Sequence, residues 1–462
     1  MSTPELSYAG VPLREPVHFI GIGGVGMSGV ARVMVARGVR VSGSDAKELP
    51  VMRELETQGA HIEVGYAEEH LGEAGTVVAG SAIRADNPEL MAAREAEVPV
   101  LHRSQALAAL MGGDRVVTVA GTHGKTTTTS MITVLLKGIG LDPSFAIGAA
   151  VPALGVNAAS GTDDIFVAEA DESDGSFLNY APKIAVVTNV EADHLDYYGT
   201  ADAVFQAFDD FAALLPADGL LVVCADDDGA AALAERVAAR GRTRVLRYGA
   251  ADKAELRLLG TVEEPSVRIG EQEFPLRLAV PGRHNQLNAL AALGVALELG
   301  VNAEDALGAL AAFQGAARRF ELKGEERGVR VYDDYAHHPT EVRAALSAAR
   351  SVAGEHRLHV LFQPHLFSRT REFAQEFAES LKLADTAVVL DIYPAREDPI
   401  EGVTSELITA HLGSMPSQPG RPALDALLRT AEAGDVVLTV GAGDVTAYGQ
   451  QILDALRAGA HG

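Results

Sequence analysis

The sequence predicts an α/β protein of three domains, and three observations carry that expectation. An apolar run, a glycine-rich or polar loop and a helical pattern follow one another three times along the chain, the rhythm of parallel strands joined by crossover helices. Several apolar runs, such as VVTVA at 116–120 and LLVVC at 220–224, are continuous rather than alternating, as strands buried on both faces require. A chain of 462 residues, 47% hydrophobic and 22% charged, is too long for one ordinary core yet ordinary in composition for a folded soluble protein.

The first block opens with VHFIGIGGVGMSGVARVMVARG at 17–38, a strand, a glycine loop and a helix. It continues through short strands in VRVSGSD (39–45), TVVAGSA (76–82) and VPVLH (98–102) to a helical SQALAALM at 104–111. The second and largest block holds the strands RVVTVAG, DIFVAEA, KIAVVTNV and GLLVVCA, a mostly parallel sheet. Its end, PLRLAVPGRHNQLNALAALGVALELG (275–300), reads as a strand, a turn at Pro281 and Gly282, and a long amphipathic helix. The third block repeats the doubly wound pattern in VRVYDDY, RLHVLFQP, TAVVLDIYP and DVVLTVGAG, with GSMPSQPGRP at 413–422 as a surface loop. The boundaries are placed at 1–107, 108–317 and 318–462.

Charge and cysteine usage narrow the classes of function. A formal charge of −25 argues against general nucleic-acid binding, which needs a basic stripe, so any anionic ligand must be held by local groups or a metal ion. The single cysteine, Cys224, lies inside an apolar run and cannot form an intramolecular disulfide, which fits a reducing cytoplasm. The N-terminal stretch lacks a basic flank and an apolar core, and nowhere are there about 18 consecutive apolar residues, so neither export nor membrane insertion is expected.

The string VAGTHGKTTTTS at 119–130 carries the strongest chemistry. A Gly-Thr-His-Gly-Lys-Thr loop between a buried strand and a helix is a phosphate cradle, a compact variant of the Walker-type loop, in which backbone amides and the helix N-terminus face the anion. Gly121, Thr122, His123, Gly124, Lys125, Thr126 and Thr127 form it, with Lys125 reaching the β and γ phosphates and the Thr126 hydroxyl ligating Mg²⁺. Four threonines are poor filler for a helix start unless their hydroxyls are used. His123 shapes the loop.

Such a site needs an acid at a neighbouring strand end, and Glu169 after DIFVA supplies it. Asp171, Glu172 and Asp174 crowd the same turn, most of them expected to be merely solvated. The turn VTNVEADHLDYYG offers Asn189, Asp193, His194 and Asp196, where His194 is either a second metal ligand or a structural histidine. A second glycine loop comprises Gly21, Gly23, Gly24, Val25, Gly26, Met27 and Ser28, with Asp45 closing the next strand at about the dinucleotide-fold distance. No hydride-transfer set follows, so a nucleotide-linked substrate fits both loops better than a redox coenzyme does.

Taken together, HFIGIGGVGMSG, GTHGKTTTT, EADESDGSF, PGRHNQLNALAA, RRFELKG, DDYAHHPTE, FQPH and SRT resemble the Mur ligases, ATP-dependent amide-forming enzymes of peptidoglycan precursor synthesis, nearly end to end. The resemblance implies an N-terminal Rossmann-like domain for a UDP-sugar, a central P-loop-type ATPase and a C-terminal Rossmann-like domain that closes on the amino acid. It assigns the loop Gly21–Ser28, with Asp45 and Ser81, to the UDP-sugar. Lys125, Thr126 and Glu169 would hold MgATP, with His194 as a second metal ligand. Asn285 would bind adenine, its alternative being a helix cap. Arg319, Asp334, His337 and Arg369 would serve the γ phosphate, the acyl group and the amine. Outside the resemblance, Arg319 reads as a boundary salt bridge and His338 as a helix N-terminal residue.

Two departures from the family stand out. The chain has no lysine between Lys183 and Lys253, so the carbamylated lysine of some members is not expected there, and Leu366 follows FQPH where many members carry arginine.

The resemblance implies the joining of L-alanine to the lactyl carboxylate of UDP-N-acetylmuramate through an acyl phosphate, with a monomer or homodimer expected. The competing expectations are a sister ligase that attaches a preformed peptide, a nicotinamide-dependent oxidoreductase and a P-loop switch.

Overall fold

The structure, a computed structural model, describes residues 6–113, 115–395, 397–413, 417–419 and 431–458. It divides into two compact units, one of Met1–Arg277 with Leu287–Phe313, the other of Leu278–Gln286 with Gln314–Gly462.

The first unit carries two large sheets. One is five-stranded and wholly parallel, in the order His61–Val64, Val41–Asp45, Val17–Ile20, Thr76–Ala79, Val100–His102. All four residues of Val17–Ile20 and of Thr76–Ala79 are buried, as central parallel strands demand. The other is ten-stranded. Its parallel centre runs Ser144–Ala146, Ile165–Glu169, Arg115–Ala120, Ile184–Val187, Leu220–Cys224, Arg244–Gly249, Leu256–Gly260. Antiparallel strands finish both edges: Ala158–Ala159 on one side, Pro265–Ile269 and Gln272–Pro275 on the other. Arg115–Ala120 lies between Ile165–Glu169 and Ile184–Val187, so the turns after all three open side by side.

The second unit holds a six-stranded sheet in the order Glu321–Glu326, Val329–Asp334, Val436–Val440, Leu358–Phe362, Thr386–Val389, Ser417–Pro419, parallel except for its first pair. The helices Pro339–Ala353 and Phe367–Leu381 cover one face, through Val342, Leu346, Phe377 and Leu381 packed on Val360, Phe362 and Leu438.

The α/β class and the strand runs stand, with local corrections. PLRLAV is not a strand: the ladder stops at Pro275, and the backbone of 276–280 pairs with nothing beyond the bond from the Leu276 amide to the Pro265 carbonyl among the described ladders. The helix Arg283–Glu298 is not amphipathic, since every residue from Ala289 to Ala296 is buried around its whole circumference, Gly294 included, against which Leu246 and Val222 pack. Within GSMPSQPGRP, Ser417–Pro419 is an edge strand rather than loop, whereas 414–416 and 420–422 lie outside the described residues. Cys224 is a buried core residue, as its apolar run implied. Among the described residues no helix is long and apolar enough to cross a membrane.

Candidate active site

The loop between Arg115–Ala120 and the helix Lys125–Gly138 is shaped by its neighbour turn. The His123 amide donates to Asn189 Oδ1 at 2.7 Å, and the His123 carbonyl accepts from Thr188 Oγ1 at 2.5 Å and Asn189 Nδ2 at 3.1 Å. Asn189 therefore moulds the loop, as does His123, whose Nε2 lies 3.4 Å from Glu191 Oε2. Gly121 has φ +139°, and a Cβ there would fall 2.0 Å from Thr188 Oγ1, so only glycine fits. Gly124, at φ +81°, starts the helix.

Inside the loop Lys125 Nζ donates to the carbonyls of Gly121 (2.7 Å) and Thr122 (3.1 Å) and to Glu172 Oε1 (2.9 Å). Burial opposes its charge, but Glu172, with Asp171 and Glu169, outweighs burial and raises the ammonium above its ordinary value, so it stays charged. Thr126 Oγ1 donates to Glu169 Oε1 at 3.1 Å, and the Gly148 amide donates to Glu169 Oε2 at 2.7 Å. A hydroxyl and a carboxylate meeting beside a phosphate cradle form the oxygen donor set that a hard divalent cation takes. The hydroxyls of Thr129, Ser130 and Thr133 instead return to helix carbonyls four residues back, which satisfies them in a buried helix.

The expectation that the acids after Glu169 are mostly solvated fails at Glu172. Its side chain is 2% exposed and lies between Lys125 and His194, with His194 Nε2 3.5 Å from Oε1. The signal missed in the sequence is the need of a buried lysine for a counter-ion. His194 sits at φ +56°; burial depresses its pKa, but Glu172 and Asp193 raise it overall. The side chain of Asp196 lies outside the described residues.

On the first sheet, the glycine loop leaves Val17–Ile20 and enters the helix Val25–Ala36. Gly21, at φ +81°, packs under Ile83, while Met27 and Ser28 are buried on the helix's inner face. Asp45 turns one oxygen onto the loop, accepting the Gly23 amide at 3.0 Å. Ser81 Oγ donates to Asp174 Oδ2 at 2.9 Å.

In the second unit, Asn285 lies inside the helix that begins at Arg283, and its Nδ2 donates to the Pro281 carbonyl at 2.7 Å, so it is no N-cap. Arg318 forms a salt bridge at the boundary, its Nε 3.4 Å from Asp333 Oδ2, and Arg319 lays its guanidinium over Tyr335, 5.1 Å from the ring centre. Asp334 accepts the amides of Phe320 and Ala336, both at 2.8 Å, and burial raises its carboxyl to about 6 against the pull of Arg319 and those amides. His337 Nδ1 lies 3.1 Å from the Tyr335 carbonyl, and burial lowers the ring to about 4. His338 does precede the helix Pro339–Ala353, whose Glu341 accepts its amide at 3.3 Å. Arg369 is buried two residues into the helix that starts at Phe367, and Leu366 before it has φ +72°.

A glycine-lysine loop with acids beside it on one sheet, and a second glycine loop on another, each between a buried strand and a helix, define an α/β protein with two strand–glycine loop–helix sites. The sequence profile of the Mur ligase family catalytic domain matches residues 16–115, that of the Mur ligase middle domain 119–296, and that of the Mur ligase glutamate ligase domain 318–443. The chain belongs to the Mur ligase family. It is 70% identical to a UDP-N-acetylmuramate–L-alanine ligase of Paenarthrobacter aurescens, over 97% of this chain and 99% of that one. Among solved structures it resembles the UDP-N-acetylmuramate-alanine ligase of Thermotoga maritima, 29% identical with a TM-score of 0.78 over 96% of this chain and 99% of that one. It also resembles a murein peptide ligase of Psychrobacter arcticus, 27% identical with a TM-score of 0.69 over 95% and 98%.

Proposed function

We propose that the protein joins L-alanine to the lactyl carboxylate of UDP-N-acetylmuramate with hydrolysis of ATP, in the synthesis of peptidoglycan precursors in the cytoplasm. The observation that carries this reading is the buried Lys125 ammonium, charge-matched by Glu172 and set beside the Thr126–Glu169 oxygen pair, in a chain whose close relatives bear that ligase name. Residues 1–107 take the sugar nucleotide on the loop Gly21–Ser28, 108–317 take ATP, and 318–462 serve the amino acid.

A carboxylate resists attack by an amine because its oxygen is a poor leaving group. Transfer of the γ phosphoryl group makes it an acyl phosphate, and the amine then displaces phosphate. Lys125 holds the transferred group's negative charge in place, and Thr126 and Glu169, with His194, would hold Mg²⁺, which supplies charge neutralisation when bound. Asp334, engaged by two backbone amides, fixes the chain around Arg319. His337 is neutral at pH 7, with its proton on Nδ1 toward the Tyr335 carbonyl, so Nε2 is the acceptor offered to the alanine ammonium or amine.

The test is phosphate release with ATP, Mg²⁺, UDP-N-acetylmuramate and L-alanine, each omitted in turn. Release that persists unchanged without the sugar nucleotide refutes the ligase reading. Replacing L-alanine with the tripeptide separates the peptide-attaching sister, which would prefer the peptide.

A further inference from the structure

The acidic turn beside Lys125 is gripped from the five-stranded sheet by a chain of hydrogen bonds, of whose members only Ser81 is among the residues assigned above to the sugar nucleotide. Tyr8 Oη donates to Asn179 Oδ1 (2.8 Å), and Asn179 Nδ2 donates to Ser104 Oγ (2.7 Å). Ser104 Oγ lies 2.7 Å from His102 Nδ1, His102 Nε2 lies 3.1 Å from Ser81 Oγ, and Ser81 Oγ donates to Asp174 Oδ2 (2.9 Å).

The direction of this chain is fixed. The Ser104 backbone amide points at His102 Nδ1 at 3.3 Å, and an N–H can only donate, so Nδ1 is the acceptor nitrogen and the ring proton sits on Nε2. Ser104 therefore donates to Nδ1, Nε2 donates to Ser81, and Ser81 is left to donate to Asp174. Burial lowers the His102 pKa, against Asp174 and Asp171 and with Arg103, which favours the neutral ring this scheme needs. Every link points toward one carboxylate, and bonds so aligned polarise one another.

A second tie runs parallel to the first. Arg103 Nη2 stands 3.9 Å from Asp171 Oδ2, and the same guanidinium lies so close to the glycine loop that a Cβ on Gly26 would be 2.9 Å from its Nη1. Gly21 and Ser81 follow, and His102 ends, parallel strands at their C-terminal edge, where α/β sheets take their ligands. Asp171 and Asp174 flank Glu172, which holds Lys125.

We propose that His102 is a positioning residue: through Ser81 and Asp174, together with the Arg103–Asp171 pair, it sets the turn that carries Glu172, so that a diphosphate ligand on the loop Gly21–Ser28 alters the affinity of the Lys125 loop for a nucleoside triphosphate. The inference rests on the ligand assignment made above for the two loops. An anion over Gly26 competes with Asp171 for Arg103, and the relay then determines where the turn settles.

The experiment is calorimetric binding of a non-hydrolysable ATP analogue with Mg²⁺ to the full chain, with and without saturating UDP-N-acetylmuramate. His102→Asn keeps a short acceptor for the Ser104 amide, and so the helix cap, but cannot reach Ser81. The wild type should show a change in analogue affinity of about threefold or more on adding the sugar nucleotide, and His102→Asn should show none, with its sugar-nucleotide affinity within about twofold of wild type. Asp174→Asn, which removes the charge at the other end, repeats the test should the first variant fail to fold. An equal ratio in the wild type and the variant overturns the relay while leaving the ligase reading intact. A wild type that binds neither ligand overturns the ligase reading instead.

Discussion

Glu172→Gln separates what Lys125 needs when its loop is empty from what it needs when phosphate is present. The carboxylate accepts from Lys125 Nζ at 2.9 Å, and the ammonium's other partners, the carbonyls of Gly121 and Thr122, are neutral. Leaving a buried charge without its counter-ion costs about 3–5 kcal/mol. Glutamine retains one acceptor, and Asp171 and Glu169 still act on the lysine, so about 2 kcal/mol is the reasonable loss for the ligand-free protein. Triphosphate supplies Lys125 with new negative charge, so most of that penalty vanishes on binding. The difference reappears as affinity, and at about 1.4 kcal/mol per tenfold the variant should bind an ATP analogue up to ~30-fold more tightly. Thermal unfolding of the ligand-free protein should show a midpoint lowered by several degrees, largely restored by the analogue, and calorimetry gives the affinity. A variant of unchanged ligand-free stability that binds the analogue more weakly would refute the counter-ion argument.

Gly121→Ala forces a Cβ to within 2.0 Å of Thr188 Oγ1 at φ +139°, which should cost ~3 kcal/mol or more in denaturant unfolding and abolish analogue binding. Asp334, raised by burial to about 6 from 3.8, holds its proton longer in the folded chain than in the unfolded one. Its contribution is therefore complete below about pH 4 and is lost as pH rises through about 6, a change of ~3 kcal/mol. Denaturation measured across that range should show a less negative dependence of stability on pH in Asp334→Asn than in the wild type; parallel curves would contradict it. His337, lowered to about 4, should show no ring titration by NMR between about pH 5 and 8, its signals being assigned by their loss in His337→Gln.

Local order was legible in the chain because it is written in neighbouring residues. The run Arg115–Ala120 followed by Gly121, Gly124 and Lys125 announces strand, cradle and helix, since each step depends on apolar spacing or on a backbone only glycine adopts. The same holds for Val17–Ile20 with its glycine loop, and for Glu169 at the end of its strand. What the chain could not state locally is which strand ends lie side by side. The sheet order, with Arg115–Ala120 between Ile165–Glu169 and Ile184–Val187, brings Glu172 to Lys125 across 47 positions and Asn189 to His123 across 66, turning an apparently solvated acid into a buried counter-ion. Asp45 bound to Gly23, the Arg318–Asp333 salt bridge and the Tyr8–Asp174 relay are pairings of the same kind. PLRLAV failed as a strand for the complementary reason: an apolar run becomes a strand only where a neighbour offers unpaired backbone, and the ladder it would have joined ends at Pro275.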